Sequence, residues 1–390
     1  GFAGERLRTG NLTVSSSEIP PYRMVGWSGI DDGAEELRRF LVLLLEPVDL
    51  VQMATGSTGS EWYNWSLRRG WTAAPTRLMP AVRGYIRAML PQHVRLLRKH
   101  WRQSAPDLVV SVMPHYNRAI FESLRLERPA TPMATILTDL ADCPPHFWFE
   151  LQDQHFICGT PLAVQQARSL GISSDRVIRV SGMIVHPRFY ERPELDRGRE
   201  RRRLGLQPGT PTALIMFGGY GSAQMLRIAR ALKTARTPLQ AIFVCGNNDA
   251  LLATLKTIKL PFPTHIAGFT TEVDRLMRLS DVFIGKPGPG SVSEAIAAGL
   301  PVVVQESSAT MPQERHTVDW IRQTDIGVVL PSFAQVAPAL EDLLARDTYK
   351  RIRANVLRVG NRAVFEIPPI LDRIMTEPSS PTVSYGAVAI

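Results

Sequence analysis

The chain of 390 residues contains little cysteine, little lysine and no long apolar run. Its three cysteines, Cys143, Cys158 and Cys245, have neither disulfide-like nor metal-like spacing. This pattern favours a reducing compartment and argues against a structural zinc site. The longest apolar run, Phe40–Leu45, is too short to cross a bilayer, and no signal peptide is recognisable, so we expect neither a membrane span nor a cleaved leader.

The basic residues are almost all arginine, since only six of 45 are lysine, and the net charge is +9. A guanidinium group matches phosphate oxygens well, although genome composition alone can also produce an excess of arginine. The charge is compatible with a nucleotide, an anionic membrane surface or a nucleic acid as the partner, and it does not choose among them.

Length and strand pattern predict two domains rather than one. Apolar runs that end in polar or turn residues alternate with helical stretches, which is typical of parallel sheets that present loops to a ligand. We therefore predict an α/β protein with two doubly wound parallel-sheet domains facing a cleft. A charged stretch that contains Pro and Gly, at 191–210, predicts the domain boundary. The predicted domains are 1–190 and 191–360. The C-terminal helix and tail at 361–390 are expected to return to the first domain.

The N-terminal region has a less regular pattern. Residues 1–25 have no clear period and are interpreted as a loose arm. Ala34–Leu45 is predicted as a helix from its propensity and a preceding Asp cap, and Val48–Met53 as a strand.

The most informative stretch is Asp281–Val304. A short apolar strand is followed by the Gly/Pro loop Lys286–Gly290, a helix predicted to open at Ser291, a stop at Gly299 and a further strand. Free N–H groups and the positive end of the helix dipole converge at such a loop, so it predicts an anion site.

Ser291 and Glu294 allow two interpretations. Their spacing fits a capping box, in which Glu294 folds back on the Ser291 N–H. Alternatively, Glu294 lies one turn into the helix beside the anion loop and accepts hydrogen bonds from ribose hydroxyls.

A segment rich in aromatic and then basic residues follows the predicted strand Val48–Met53. The candidates for contact with a membrane interface are Trp62, Trp65, Trp71, Arg83, Arg87, Arg95, Arg98 and Lys99. Cationic helices beside tryptophan can lie in such an interface. The alternative is a solvated helix face with ordinary core aromatics.

Four blocks of the sequence resemble the GT-B-fold glycosyltransferases that include the monogalactosyldiacylglycerol synthases and the processive diacylglycerol glucosyltransferases. The peptidoglycan N-acetylglucosaminyltransferase is a more distant relative of that family. The blocks are Thr138–Cys143, Phe217–Ser222, Lys286–Glu294 and Pro312–Glu314. Their order and spacing agree with the family from about residue 50 to residue 372.

The resemblance implies a role for individual residues of the second domain. The loop from Gly288 to Ser291 would hold the donor diphosphate, Glu294 the ribose, Gln313 and Glu314 the sugar hydroxyls, and Phe269 the uracil. The donor residues implied in full are Gly218, Gly219, Gly221, Ser222, Gly246, Phe269, Gly288, Pro289, Gly290, Ser291, Glu294, Gln313 and Glu314.

The resemblance departs at the N-terminus, where the family has a Gly-rich loop carrying a His. The comparable stretch here, Val25–Gly33, has glycines and acids but no His. Three explanations are open. This sequence begins after the family's first strand, the catalytic base lies elsewhere in the chain, or the activity is weak. By position His115 and Asp139 are the candidates for the general base, each with a structural role as the alternative.

Together these observations predict an inverting transfer of a hexose from a UDP-sugar to a lipid hydroxyl of the diacylglycerol type. We expect no metal or other cofactor, no nucleic acid partner, and a cytoplasmic protein peripherally associated with the inner face of a membrane. A UDP-sugar 2-epimerase and a non-catalytic UDP-sugar-binding or membrane-scaffolding protein are the alternatives.

Overall fold

A computed structural model describes residues 22–24, 41–45, 73–191, 194–308 and 310–376, which form two α/β units. The first unit contains the N-terminal strands, Leu78–Ile184 and the segment from Arg362 onward, and the second contains Val185–Asn361. The boundary therefore falls a few residues before the one predicted from composition. The predicted strand Val48–Met53 lies outside the described residues.

The strands in chain order are β1 Tyr22–Met24, β2 Leu41–Leu45, β3 Val109–Ser111, β4 Met133–Ile136, β5 His155–Cys158, β6 Val177–Arg179, β7 Thr212–Met216, β8 Gln240–Val244, β9 Thr264–Ala267, β10 Val282–Gly285, β11 Val302–Gln305 and β12 Gly327–Leu330. The α-helices are α1 Ala73–Ser104, α2 Asn117–Glu127, α3 Pro161–Ser169, α4 Arg197–Arg203, α5 Gln224–Leu232, α6 Asp249–Thr257, α7 Val273–Leu279, α8 Pro289–Ala297, α9 Pro312–Thr324, α10 Val336–Leu344, α11 Arg346–Arg358 and α12 Ala363–Thr376. No helix within the described ranges combines the length and apolar character needed to cross a membrane.

The first sheet has the order β1-β2-β3-β4-β5-β6 and is parallel except for β1, which pairs antiparallel with β2. Its interior strands are short and buried on both faces, which explains why they read as continuous apolar runs. Helices α1 and α2 pack on one face through residues such as Leu97 and Leu124. Helix α12 covers the other face through residues such as Ile367 and Leu371.

The start of α12 is tied to the first sheet by hydrogen bonds as well as by apolar packing. The backbone N–H of Ser181 donates to Glu366 Oε2 at 2.7 Å, and the N–H of Arg362 donates to Ser181 Oγ at 2.7 Å. The C-terminal helix is thus an integral layer of the first unit.

The second sheet is parallel throughout, with the order β12-β11-β10-β7-β8-β9. Alternate residues of β7 belong to opposite faces, since Ile215 packs with α5 and α10 whereas Leu214 packs with α7, α8 and α9. Both units are thus parallel-sheet α/β layers with helices on both faces, and the predicted α/β class with two parallel-sheet domains is confirmed.

Two predictions near the N-terminus were wrong. The end of the predicted helix Ala34–Leu45 is strand β2, in which Leu41 and Val42 pair with Val109 and Val110. Leucine has a high helix propensity, but a short apolar run suits a strand that has neighbours on both sides, so tertiary pairing overrides propensity. The stretch interpreted as a loose arm also contains strand β1.

Candidate active site

The second sheet reverses its winding direction between β7 and β10. From β7 the chain moves outward through β8 and β9, whereas β10 returns to the other side of β7 and continues through β11 and β12. Ligands of open α/β sheets bind beyond the carboxyl ends of the strands at such a switch point. All the residues predicted to bind the donor follow the carboxyl ends of β7, β8, β9, β10 or β11.

The Gly-rich loop after β7 presents bare backbone. Gly218 and Gly221 have φ values of 72° and 60°, a region that glycine adopts without steric cost. A Cβ on Gly246, which follows β8, would lie 2.2 Å from the carbonyl oxygen of Gly219, so the two loops touch. The N–H of Asn247 donates to that same carbonyl at 2.8 Å. A Cβ on Gly219 itself would meet nothing within 4 Å, so its outer surface is open to a ligand.

The end of the Gly-rich loop leads directly into α5. Ser222 Oγ accepts a hydrogen bond from the N–H of Gln224 at 3.2 Å. Ser222 therefore helps to start this helix, whether or not it also contacts a donor.

The loop after β10 ends at the N-terminus of α8, as an anion site requires. Gly288 is the N-cap and Pro289 the first helical residue, so the helix begins two residues earlier than predicted. Pro289 has no N–H, and the N–H of Val292 already donates to Gly288 O. The N–H groups of Gly290 and Ser291 have no acceptor in the described part of the chain. These two donors point to an anion at the positive end of the helix dipole.

The capping-box interpretation of Glu294 is wrong. Because α8 begins at Pro289, Ser291 is not the N-cap, and Glu294 lies beyond the first turn. Glu294 is half-buried, and burial raises the pKa of its carboxyl to about 7, with the positive charge of Arg188 opposing the shift. No hydrogen bond reaches this carboxyl from the described residues, which leaves its oxygens available to a ligand.

Lys286 and Glu314 form an ion pair beside the anion loop. Lys286 directly follows β10, Glu314 lies in the first turn of α9, and the Nζ–Oε1 distance is 3.1 Å. The neighbouring Gln313 approaches the sulfur of Met311 with its Nε2 at 3.9 Å. The sequence analysis gave Lys286 no role of its own, although this lysine is the first residue of the loop and Glu314 stands in the next block.

Phe269 lies just beyond β9 and is 58% exposed. An exposed aromatic ring at the carboxyl edge of a sheet is a suitable surface for a base. Tyr220, in the Gly-rich loop after β7, is also exposed, and its carbonyl accepts a hydrogen bond from Asn248 Nδ2 at 3.0 Å.

The two candidates for the general base lie at the carboxyl edge of the first sheet. His115 follows β3 and Asp139 follows β4, which is the adjacent parallel strand. His115 has a φ of 67°, its N–H donates to Phe147 O at 2.8 Å, and its ring meets that of Phe147 edge to face at 4.2 Å. Asp139 Oδ2 accepts from the indole N–H of Trp148 at 2.9 Å. The two candidates are therefore held by neighbouring aromatic residues.

Asp142 shapes this edge and was missed by the sequence analysis. It is buried, and its two oxygens accept from the N–H groups of His146 and Trp148 at 2.7 and 2.6 Å. Burial raises the pKa of its carboxyl. An Asp before the Pro144–Pro145 turn was the available signal, and its contacts hold Trp148 where it reaches Asp139.

The basic segment forms α1, and its charges fall into two groups. Arg98 and Arg102 place their Nε atoms 2.5 and 2.8 Å from the carboxylate of Glu127, and these contacts lower the pKa of Glu127 to about 2. Three other basic residues of the helix are exposed, namely Arg87, Arg95 and Lys99. Arg83 also lies in α1, and Trp62, Trp65 and Trp71 lie outside the described residues.

Comparison with known proteins agrees with the geometry of the second unit. Residues 214–322 match the glycosyltransferase family 28 C-terminal domain. The matched segment begins inside β7 and ends inside α9, so it covers the Gly-rich loop, the anion loop, Glu294 and Glu314.

The chain is also similar to monogalactosyldiacylglycerol synthases. It is 28% identical over 289 residues to probable monogalactosyldiacylglycerol synthase 2 of Oryza sativa subsp. japonica, which covers 71% of this chain and 61% of the relative. It is 28% identical over 292 residues to the monogalactosyldiacylglycerol synthase of Spinacia oleracea, covering 70% and 53%. The chain thus spans between half and three fifths of the length of these relatives.

Solved structures show the same fold at low sequence identity. MurG of Acinetobacter baumannii aligns with a TM-score of 0.51 at 14% identity, covering 71% of this chain and 76% of that one. A UDP-GlcNAc 2-epimerase of Neisseria meningitidis, bound to UDP-GlcNAc, aligns with a TM-score of 0.54 at 15% identity, covering 74% and 82%. The predicted resemblance to GT-B glycosyltransferases is confirmed, and these structural likenesses bear on the fold alone.

Proposed function

We propose that this protein transfers a hexose from a UDP-sugar to the hydroxyl of a lipid of the diacylglycerol type, with inversion at the anomeric carbon. The observation that carries the proposal is the pair of unpartnered N–H groups of Gly290 and Ser291, at a switch point within a family 28 domain. The relatives named as monogalactosyldiacylglycerol synthases support the lipid acceptor.

The donor binds through groups of different chemistry in the second unit. The diphosphate accepts hydrogen bonds from the Gly290 and Ser291 N–H groups at the positive end of the α8 dipole. The ribose hydroxyls donate to Glu294, and the uracil lies against Phe269. The hexose hydroxyls contact Gln313 and Glu314.

The transfer step needs a base for the acceptor and stabilisation for the leaving diphosphate. His115 or Asp139 takes the proton of the lipid hydroxyl, whose oxygen then attacks the anomeric carbon while the bond to the diphosphate breaks. The charge that develops on UDP is stabilised by the helix dipole and the loop N–H groups. We therefore propose that the reaction is independent of a metal ion.

The first unit provides a surface suited to an anionic membrane. Arg87, Arg95 and Lys99 lie on the exposed part of α1, and they are not neutralised by Glu127 as Arg98 is. Each basic residue near an anionic surface contributes about 1 kcal/mol of attraction. Docking of α1 onto the membrane would place the enzyme beside its lipid acceptor.

The experiment that tests the function uses the purified protein with UDP-glucose or UDP-galactose, labelled in the sugar, and vesicles containing diacylglycerol. A labelled glycolipid is the expected product, and it should form equally well after treatment with a chelator. Restoration of a lost activity by Mn²⁺ or Mg²⁺ would overturn metal independence.

The same experiment separates the two alternative functions. A UDP-sugar 2-epimerase would convert labelled UDP-N-acetylglucosamine into its isomer and leave the lipid unlabelled. A binding or scaffolding protein would retain the UDP-sugar on the protein and form no product.

A further inference from the structure

The Lys286–Glu314 ion pair connects two neighbouring loops of the second unit. Lys286 leaves β10, and Glu314 lies in the helix that follows β11, the strand next to β10. The side chain of Glu314 is only 8% exposed, whereas that of Lys286 is 42% exposed. The pair thus has a buried acidic end and an accessible basic end.

The Glu314 carboxylate has more hydrogen-bonding capacity than the protein uses. A carboxylate accepts about four hydrogen bonds, and in the described part of the chain Lys286 is the one side chain that forms an ion pair or a hydrogen bond with it. A buried carboxylate without a counter-charge is costly, and the Lys286 ammonium group offsets that cost for Glu314. The remaining lone pairs suit a pair of neighbouring hydroxyl groups.

Gly288 leaves room for the lysine to reach its partner. A Cβ at this position would lie 3.2 Å from Lys286 Cε and 3.7 Å from Lys286 Cγ. The stem of the lysine therefore passes beside the N-cap of α8 on its way to Glu314. The anion loop and the ion pair form one packed arrangement.

We propose that Lys286 is a positioning residue, which holds the Glu314 carboxylate in place and aimed at the hexose hydroxyls and thereby sets the preference for UDP-hexose over UDP. The proposal rests on the proposed function, because it assumes that a UDP-sugar binds at this edge of the sheet. In this proposal Lys286 acts through Glu314 and does not itself need to contact the sugar.

A direct contact between Lys286 and the diphosphate is the competing explanation, and it predicts a different pattern of affinities. A lysine on the diphosphate would contribute equally to UDP and to UDP-hexose, since both carry that group. A lysine that positions Glu314 would contribute to UDP-hexose alone.

The test measures the dissociation constants of UDP, UDP-glucose and UDP-galactose by calorimetry for the wild type and for Lys286→Met, Lys286→Arg, Glu314→Gln and the double variant Lys286→Met/Glu314→Gln. Lys259→Met removes an exposed lysine elsewhere in the second unit and is the matched control. Melting temperatures establish that each variant is folded.

We expect Lys286→Met to reduce the preference for the better UDP-hexose over UDP by about ten- to a hundredfold, since a hydrogen-bonded charge is lost. UDP affinity should change less than twofold, Lys286→Arg should restore the preference, and the double variant should lose no more than Glu314→Gln alone. The control should behave as the wild type.

Equal losses for UDP and UDP-hexose in Lys286→Met would overturn the positioning role in favour of direct contact with the diphosphate. Unchanged nucleotide affinities with a lower melting temperature in Lys286→Met would mean that the ion pair only stabilises the fold. Additive losses of UDP-hexose affinity in the double variant would also contradict the proposal. A wild type that binds none of the three nucleotides would instead overturn the proposed function, and this inference with it.

Discussion

The two units carry different kinds of groups at the carboxyl edges of their sheets. The second unit offers exposed backbone in addition to side chains, in the loop around Gly219 and in the N–H groups of Gly290 and Ser291. The first unit offers side chains, since His115 and Asp139 are held by contacts with Phe147 and Trp148. Backbone recognition suits a diphosphate shared by many donors, whereas side-chain groups suit a proton transfer.

Because of this difference, the functional residues of the two edges are not equally easy to predict from a sequence. A loop that must expose its backbone needs glycine and proline at fixed positions, and such motifs stand out. A base needs one titratable side chain at the right place, and many residues along the chain could supply it. The comparison therefore predicts that damage to the two edges will separate catalysis from donor binding.

The largest effect is expected at the first sheet. Replacement of the residue that acts as general base, tested as His115→Ala and Asp139→Asn, should lower kcat by about 10²- to 10⁴-fold. UDP affinity should stay within twofold of the wild type, because the proposed donor site lies in the other unit. Steady-state kinetics and calorimetry provide the two measurements. Wild-type kcat in both variants would remove both residues as candidates.

A smaller effect is expected for the exposed charges of α1. The triple variant Arg87→Gln/Arg95→Gln/Lys99→Gln should bind anionic vesicles about a hundredfold more weakly, at about 1 kcal/mol for each charge. Sedimentation with vesicles measures the change, and added salt should weaken binding of the wild type.

The matched control for that variant removes two arginines and one lysine that are exposed on and next to α5, as Arg227→Gln/Arg230→Gln/Lys233→Gln. Both triple variants lower the net charge equally. If they lose vesicle affinity to the same extent, net charge rather than α1 is responsible for the binding.

A tenfold effect is expected at Glu294. The variant Glu294→Ala should bind UDP about tenfold more weakly, through loss of a charge-assisted hydrogen bond. Because burial raises the pKa of this carboxyl to about 7, it is largely protonated at pH 6. Ribose hydroxyls donate to the ionised form, so UDP affinity of the wild type should rise between pH 6 and pH 8. Glu294→Gln should flatten that rise, and an unaltered pH profile in this variant would contradict the ribose contact.

The smallest effect concerns stability at the same residue. A carboxyl whose pKa is higher in the folded protein than in the unfolded chain stabilises the fold at low pH, and this contribution is lost as the pH rises through about 7. Glu294→Gln resembles the protonated form, so its melting temperature should exceed that of the wild type more at pH 8 than at pH 5. The opposite trend would mean that the carboxylate stabilises the fold, as a capping role requires.

Much of the fold could be predicted from the sequence because parallel strands buried on both faces are continuous apolar runs. Strands β5, β8 and β10 are runs of this kind. The prediction of a helix at β2 was wrong because a run of leucines favours a helix by propensity and a strand by burial. Only the pairing with β3 distinguishes the two.

The sequence by itself determined the Gly/Pro loop at the start of α8, because glycine and proline before a helix specify both a bare backbone and a helix start. It also determined the order of the blocks that resemble the glycosyltransferase family. Only the tertiary structure decided that Glu294 is no cap, that Lys286 pairs with Glu314 and that Glu127 neutralises Arg98. These outcomes depend on where a helix begins and on which side chains meet across distant segments, and no local pattern encodes either.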